Sequence, residues 1–64
     1  EIDELWERLD ELRPTERACV VLRYYEDLSL DQVAAELDLP VGTVKSHLHR
    51  AISRLRALLD EEDR

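Results

Sequence analysis

Pro40 separates two stretches whose apolar residues recur with the period of an α-helix, and that break constrains most of what the chain can become. Before it, Leu30, Val33, Ala34 and Leu37 fall at i, i+3, i+4 and i+7, the spacing of one buried helical face. Ser29 with Gln32 three residues later fits a capping box, in which a hydroxyl takes an orphan amide and the glutamine reaches back. Proline disfavours helical geometry at the preceding residue, so this helix is expected to end near Leu37 or Asp38. A second helix is expected from about Val41 to Leu59. A short helix, a tight turn and a long helix make the helix-turn-helix pattern, and the small Ala34 lets the second helix cross closely. The same turn occurs in proteins that bind no nucleic acid, so the outward face of the second helix has to decide the reading.

At about 100° per residue from Val44, the residues Leu48, Ala51, Leu55, Leu58 and Leu59 lie within about 60° and form a core stripe. Gly42, Ser46, His49 and Ser53 lie opposite. Lys45 and Arg56 flank that outer face on one side, Arg50 and Arg54 on the other. No Asp or Glu occurs from Leu39 through Leu59. Small polar residues at the centre with cations on both flanks suit a DNA groove, where small residues approach bases and cations meet phosphates. The bland alternative is a solvated helix whose positive charge suits its C-terminal dipole. A generic surface helix mixes both signs of charge, which favours the DNA reading. Gly42 adds to it. Glycine is unexpected in the first turn of a long helix on propensity grounds, and close approach of backbone to an anion such as a phosphate gives it a reason.

The net charge of −7 argues against nucleic acid only when read as a whole. Residues 1–39 carry twelve acidic and four basic side chains, residues 40–59 none and four, and residues 60–64 four and one. The chain is an acidic body with one basic helix. Phosphate neutralisation drives non-specific attraction, so the acidic remainder weakens it, and the domain is expected to need help in holding DNA.

Sixty-four residues make one small all-α domain, residues 1–59, with a modest core. The chain does not begin with Met and is expected to be part of something longer. Nothing resembles a signal peptide and no apolar run approaches a membrane span. The single cysteine, Cys19, cannot form an internal disulfide, which fits a reducing cytoplasm, and in its apolar run it reads as a small hydrophobe.

In chain order, Ile2, Leu5, Trp6, Leu9 and Leu12 have helical spacing and predict a first amphipathic helix from about Asp3. Trp6 reads as core or as part of an apolar surface for a partner, with Leu9 beside it. Pro14 suits the first turn of the next helix, expected to run to Tyr25 and to be the most buried, since residues 18–22 are nearly all apolar. Arg23 is expected to pair with an acid of the body rather than to reach a phosphate. Leu28 should tuck into the core, and residues 60–64 should fray as a disordered acidic tail. No catalytic residue, cofactor site or metal site is expected. His47 and His49 stand about 200° apart on the helix, and there is no nucleophile–base set, glycine-rich phosphate loop or spaced cysteine pair.

The string Pro40-Val41-Gly42-Thr43-Val44-Lys45-Ser46-His47-Leu48-His49-Arg50-Ala51, followed by Arg54-Leu55-Arg56, resembles the end of region 4 of bacterial extracytoplasmic-function sigma factors. So does Arg17 through Ser29, with its Leu22-Arg23-Tyr24-Tyr25-Glu26-Asp27-Leu28-Ser29. The resemblance covers about residues 3–59. It implies a four-helix domain that binds the −35 element of promoters in the major groove through its last helix and docks on the flap of the RNA polymerase β subunit. Many members are held inactive by an anti-sigma protein. By position, Lys45, Ser46, His49 and Arg50 align with base- and phosphate-contacting residues, and Gly42 and Thr43 with phosphate contacts at the helix start. Arg54, a turn further out, is read as a phosphate contact. His47 stands where Arg or Gln is frequent. Region 2 of the family does not occur within these 64 residues, which are therefore expected not to open a promoter alone. Two alternatives remain at this point. The terminal domain of response-regulator-type activators shares Thr43-Val44-Lys45-Ser46-His47-Leu48 and four helices but matches less well from Arg23 to Ser29. A protein-interaction module that keeps the fold and has lost DNA binding is motivated by the charge.

Overall fold

The structure, a computed structural model, describes residues 7–62. Among them the chain is all-α and contains no strand. Residues 7–9 are helical, followed by α1 (Pro14–Val20), a π-helical turn (Val21–Tyr25), α2 (Leu30–Leu37) and α3 (Val41–Glu62). These are the four helical segments expected, with α2 and α3 as the helix-turn-helix.

The first helix stops before Leu12. Arg13 is extended (φ −65°, ψ 149°), as a residue preceding proline prefers, and Pro14 then opens α1 where its missing N–H costs no bond. Leu9 and Leu12 are nonetheless buried, carried inward by the turn in which the Leu12 amide bonds the Leu9 carbonyl at 3.1 Å. Trp6 and the residues before it lie outside the described residues.

The second helix differs from the expected plain helix to Tyr25. Its last turn is π-helical, closed by Glu26 N–H to Val21 O at 3.0 Å. The apolar run at 18–22 cannot all face one way at about 100° per residue. Cys19 and Val20 are buried, whereas Ala18, Val21 and Leu22 are half-buried. The Leu28 amide then reaches back to the Leu22 carbonyl at 3.1 Å, with Asp27 left-handed (φ 58°) between them. Among the described residues Arg23 pairs with no acid. Its Nη1 donates to the Leu28 carbonyl at 3.0 Å, locking the same turn, and its guanidinium lies 5.7 Å from the Tyr24 ring centre. The part-buried Leu28 carbonyl lies within reach of the half-buried guanidinium, and a hydrogen bond to a charged donor is stronger than one between neutral groups.

The start of α2 is as the sequence predicts. The Ser29 hydroxyl accepts from the Gln32 amide at 3.1 Å, and the Gln32 side chain accepts from the Ser29 amide at 2.8 Å. At its end Asp38 is left-handed (φ 55°), Leu39 N–H bonds Ala34 O at 2.9 Å, and Asp38 N–H bonds Ala35 O at 3.3 Å. That pair of bonds is a Schellman stop, made here with Asp instead of Gly. Pro40 opens α3, its carbonyl accepting from Thr43 and Val44 amides at 3.0 and 3.1 Å.

α3 lies against both α1 and α2. Val44, Leu48, Ala51 and Leu55 supply its buried stripe, meeting Val33 and Ala34 of α2 and Cys19 and Val20 of α1 in one core. Val33, Val44 and Cys19 are fully buried. The helix extends to Glu62, three residues past its expected end at Leu59, so Asp60, Glu61 and Glu62 are helical; residues 63–64 lie outside the described residues.

Candidate nucleic-acid interface

Because the stripe from Val44 to Leu55 faces the core, the opposite side of α3 must face outward. Gly42, Ser46, His49 and Ser53 are all exposed, as are Lys45, Arg50, Arg54 and Arg56 on the two flanks. Among the described residues Lys45, His49, Arg54 and Arg56 make no side-chain hydrogen bond or ion pair within the domain. His47 is half-buried and turned toward Arg50, whereas His49 points outward, so the two rings diverge as their spacing requires.

The first turn of α3 is open. Gly42 has no left-handed φ, and a Cβ built on it meets nothing within 4 Å, so no packing or backbone demand of the domain calls for glycine. The Thr43 amide is spent on Pro40, which leaves its hydroxyl as what it can offer an anion. Ser46 Oγ donates to the Gly42 carbonyl at 3.1 Å. With its proton turned back onto the helix, the hydroxyl presents lone pairs outward and acts as an acceptor.

Arg50 is tethered rather than free. Its Nε lies 3.5 Å from Glu16 Oε2, and its Nη2 lies 3.1 Å from His47 Nδ1. Glu16, in the first turn of α1, is the one buried charged residue among the described residues. Around this pair lies a cleft lined by Arg13, Glu16, His47 and Arg50, continuing past Glu11 to Arg54. Arg13, read from the sequence only as part of a helix break, thus joins Arg50 and Arg54 on one edge of the outward face. The signal that could have found it is indirect. Only the crossing of α1 over α3 brings residue 13 beside residue 50. Arg17 is held by Asp10 at 2.9 Å.

Leu9 has almost no exposed surface, 3% of its maximum, so it offers a partner no face in this fold; the packing that buries it is the core itself. Trp6 lies outside the described residues. An exposed apolar groove occurs elsewhere, between the second helix and the far half of α3, lined by Val20, Tyr24, Ile52, Leu55, Arg56 and Leu59. Tyr24 and Tyr25 are the exposed large apolar residues, at 59% and 67%. Cys19 is fully buried, and desolvation, reinforced by the Glu16 charge, pushes its thiol up from the ordinary value. No helix among the described residues is long and apolar enough to cross a membrane.

The family described as sigma-70, region 4, matches residues 2–55. Over 59 residues the chain is 48% identical to an RNA polymerase sigma-E factor of Streptomyces avermitilis, covering 92% of this chain and 33% of that protein. It is 38% identical over 60 residues to RNA polymerase sigma factor SigV of Bacillus subtilis, covering 94% and 36%. To the ECF RNA polymerase sigma factor SigE of Mycolicibacterium smegmatis it is 45% identical over 51 residues, covering 80% and 20%. The chain spans about a third of the length of the curated sigma-E relatives it matches.

Proposed function

The chain belongs to region 4 of the sigma-70 family, of the extracytoplasmic-function type, and we propose that it binds the −35 element of promoters as the C-terminal domain of an RNA polymerase sigma factor, directing transcription initiation in the cytoplasm. The observation that carries the reading is the outward face of α3. It is free of acids from Leu39 to Leu59, small and polar at its centre, and cationic on both flanks.

On this reading α3 enters the major groove with a division of labour set by angle. Ser46 and His49 face the groove floor and bias which bases are preferred. Lys45 and Arg50 border that face in the first two turns, within reach of base edges or phosphates. Gly42 and Thr43 meet a phosphate at the helix start. Arg54 lies where the helix leaves the groove and meets phosphates only. The apolar groove between Tyr24 and Leu59 is the surface for the polymerase β flap, with an anti-sigma protein as a competing partner. Similarity to proteins named as sigma factors favours this over an activator domain.

The test is binding of polymerase holoenzyme, assembled with the sigma factor carrying each variant, to a set of −35 mutants at two salt concentrations. Loss of a base contact should cost about 1–3 kcal/mol and relax preference at one position, whereas loss of a phosphate contact weakens all sequences alike and lowers the salt slope by about one. His49→Ala is expected to change the preferred sequence, Arg50→Ala to cripple −35 recognition, and Arg54→Ala to lower affinity evenly. Altered base preference in Arg54→Ala alone would place the helix wrongly.

A further inference from the structure

We propose that Glu16 is a positioning residue for DNA recognition, holding the Arg50 guanidinium in the orientation in which it meets the groove. The proposal rests on the −35-binding reading of α3 and deepens it. A carboxylate on a face presented to DNA is unfavourable on charge alone, since it opposes phosphate. Glu16 nevertheless sits in the cleft at the edge of that face, buried to 6% exposure, with Arg50 as its cation at 3.5 Å. Burial of a charge is tolerated when it is paired, and the pair is built across two helices, α1 and α3.

The geometry shows what the pairing does. An arginine side chain is long and rotamer-rich, and its planar fork discriminates bases only when its plane is set. Here Nε lies 3.5 Å from Glu16 Oε2 in an ion pair and Nη2 lies 3.1 Å from His47 Nδ1, so two of the three guanidinium nitrogens already have partners within the fold. Arg50 stays 58% exposed at its side chain, so it is held without being hidden. Arg54, one turn on, has no such tether among the described residues. These two contacts restrict Arg50 within the fold before DNA arrives, and a side chain already restricted loses less entropy on binding. The carboxylate also partly neutralises Arg50, which shifts its contribution from salt-dependent attraction toward sequence discrimination.

Two hypotheses about Glu16 then differ in sign. If it were only a charge, removing it would tighten binding to every duplex equally. If it positions Arg50, removing it lowers the preference for the −35 duplex over a scrambled one and steepens the salt dependence, because Arg50 becomes an untethered cation. The experiment measures holoenzyme binding to −35 and scrambled duplexes at two salt concentrations for the wild type, Glu16→Ala, Glu16→Asp, Arg50→Ala and the Glu16→Ala/Arg50→Ala pair, with folding followed by circular dichroism. In Glu16→Ala the ratio of the two affinities is expected to fall by about three- to tenfold, the loss of one charge-assisted contact, and the salt slope to rise toward one more released ion. In the Arg50→Ala background the same change should do nothing to the ratio. Glu16→Asp keeps the charge but is one methylene short, and it should lose part of the ratio; this variant decides the matter if Glu16→Ala does not fold. A ratio unchanged in Glu16→Asp and Glu16→Ala, or tighter binding to both duplexes alike, overturns the positioning role while leaving the DNA reading intact. A wild type that does not distinguish the duplexes overturns the DNA reading, and this proposal with it.

Discussion

Gly42→Ala separates what the domain needs from what DNA needs. Gly42 lies in the first turn of α3, exposed, outside the left-handed region, and beyond its neighbours and its own helix backbone no described atom comes within 4 Å of where a Cβ would stand. Alanine fits there without strain, and such a change stabilises by about 0.4–1 kcal/mol, mainly by restricting the unfolded chain. In a domain of this size that is a rise of a few degrees in Tm, up to about 8 °C. The interface should respond with the opposite sign. If backbone at the helix start approaches a phosphate, a methyl there holds the phosphate away from the amides and weakens a hydrogen bond to a charged group, worth about 1.5–3 kcal/mol, or roughly tenfold or more in affinity. Phosphates carry no sequence information, so the loss should be equal across −35 variants. The assay pairs thermal denaturation of the domain with holoenzyme binding to cognate and mutant duplexes. Higher Tm with unchanged affinity would show that nothing approaches residue 42. Lower Tm would show that the first turn of α3 is not the open, relaxed turn described.

Arg13→Ala should weaken binding to all duplexes alike and lower the salt slope by about one, since its cleft joins the edge of α3 where Arg54 stands; a change in base preference would speak against a phosphate role, and a salt titration of both quantities measures it. Cys19 should react with a thiol reagent only as fast as the domain opens, being fully buried. Its thiol is held above its ordinary pKa, so as pH rises through the thiol range the unfolded chain gives up the proton first and folding stability should fall; Cys19→Ala, melted across the same alkaline range, should lose that component.

The fold was legible wherever local chemistry and helical period agreed. Ser29 and Gln32 name the start of α2 because a capping box is a local arrangement, and Pro40 names its end because the restriction acts on the adjacent residue. The buried stripe of α3 follows from spacing as far as Leu55, whereas Leu58 and Leu59, expected in the same stripe, are only half-buried because the helix there runs past the core. The sequence was less informative where tertiary contacts chose between local options. Nothing in Val21 to Tyr25 says that the turn should widen to π; the Leu22 carbonyl waits for Leu28, and the Arg23 guanidinium for the Leu28 carbonyl, both beyond the helix. Asp27 and Asp38 take left-handed conformations usually given to glycine, so the sequence gives no sign of the backbone geometry at either turn, although Pro40 marks where the second one falls. The continuation of α3 through Asp60, Glu61 and Glu62 runs against their charge, since acids at a helix C-terminus oppose the dipole. The outward residues of α3 were legible as a face, but the pairing of Arg50 with Glu16 was not. Thirty-four residues separate them, and only the packing of α1 on α3 sets them side by side.

The charge distribution bears on how such a domain would act within a polymerase. Its body is acidic and the four basic residues between Leu39 and Leu59 lie on one helix, so attraction to DNA depends on orientation: α3 facing the duplex is favoured and nearly every other approach is not. Weak non-specific affinity is an advantage for a promoter reader, because a genome offers very many competing sites and discrimination matters more than raw affinity. The cost is a low chance of holding the −35 element alone. Tethering restores it, since attachment to a large assembly already near the promoter makes the second contact intramolecular, at an effective concentration set by the linkage. A groove such as that between Tyr24 and Leu59, which adjoins the Arg56 flank of α3 and lies across the helix from Arg50 and Arg54, lets the same helix be held from one side while its outward face reads the groove. Tethering of Arg50 by Glu16 works in the same direction at the scale of one side chain. It trades bare positive charge for a fixed orientation, which a domain brought to its site by a larger partner can use for sequence discrimination.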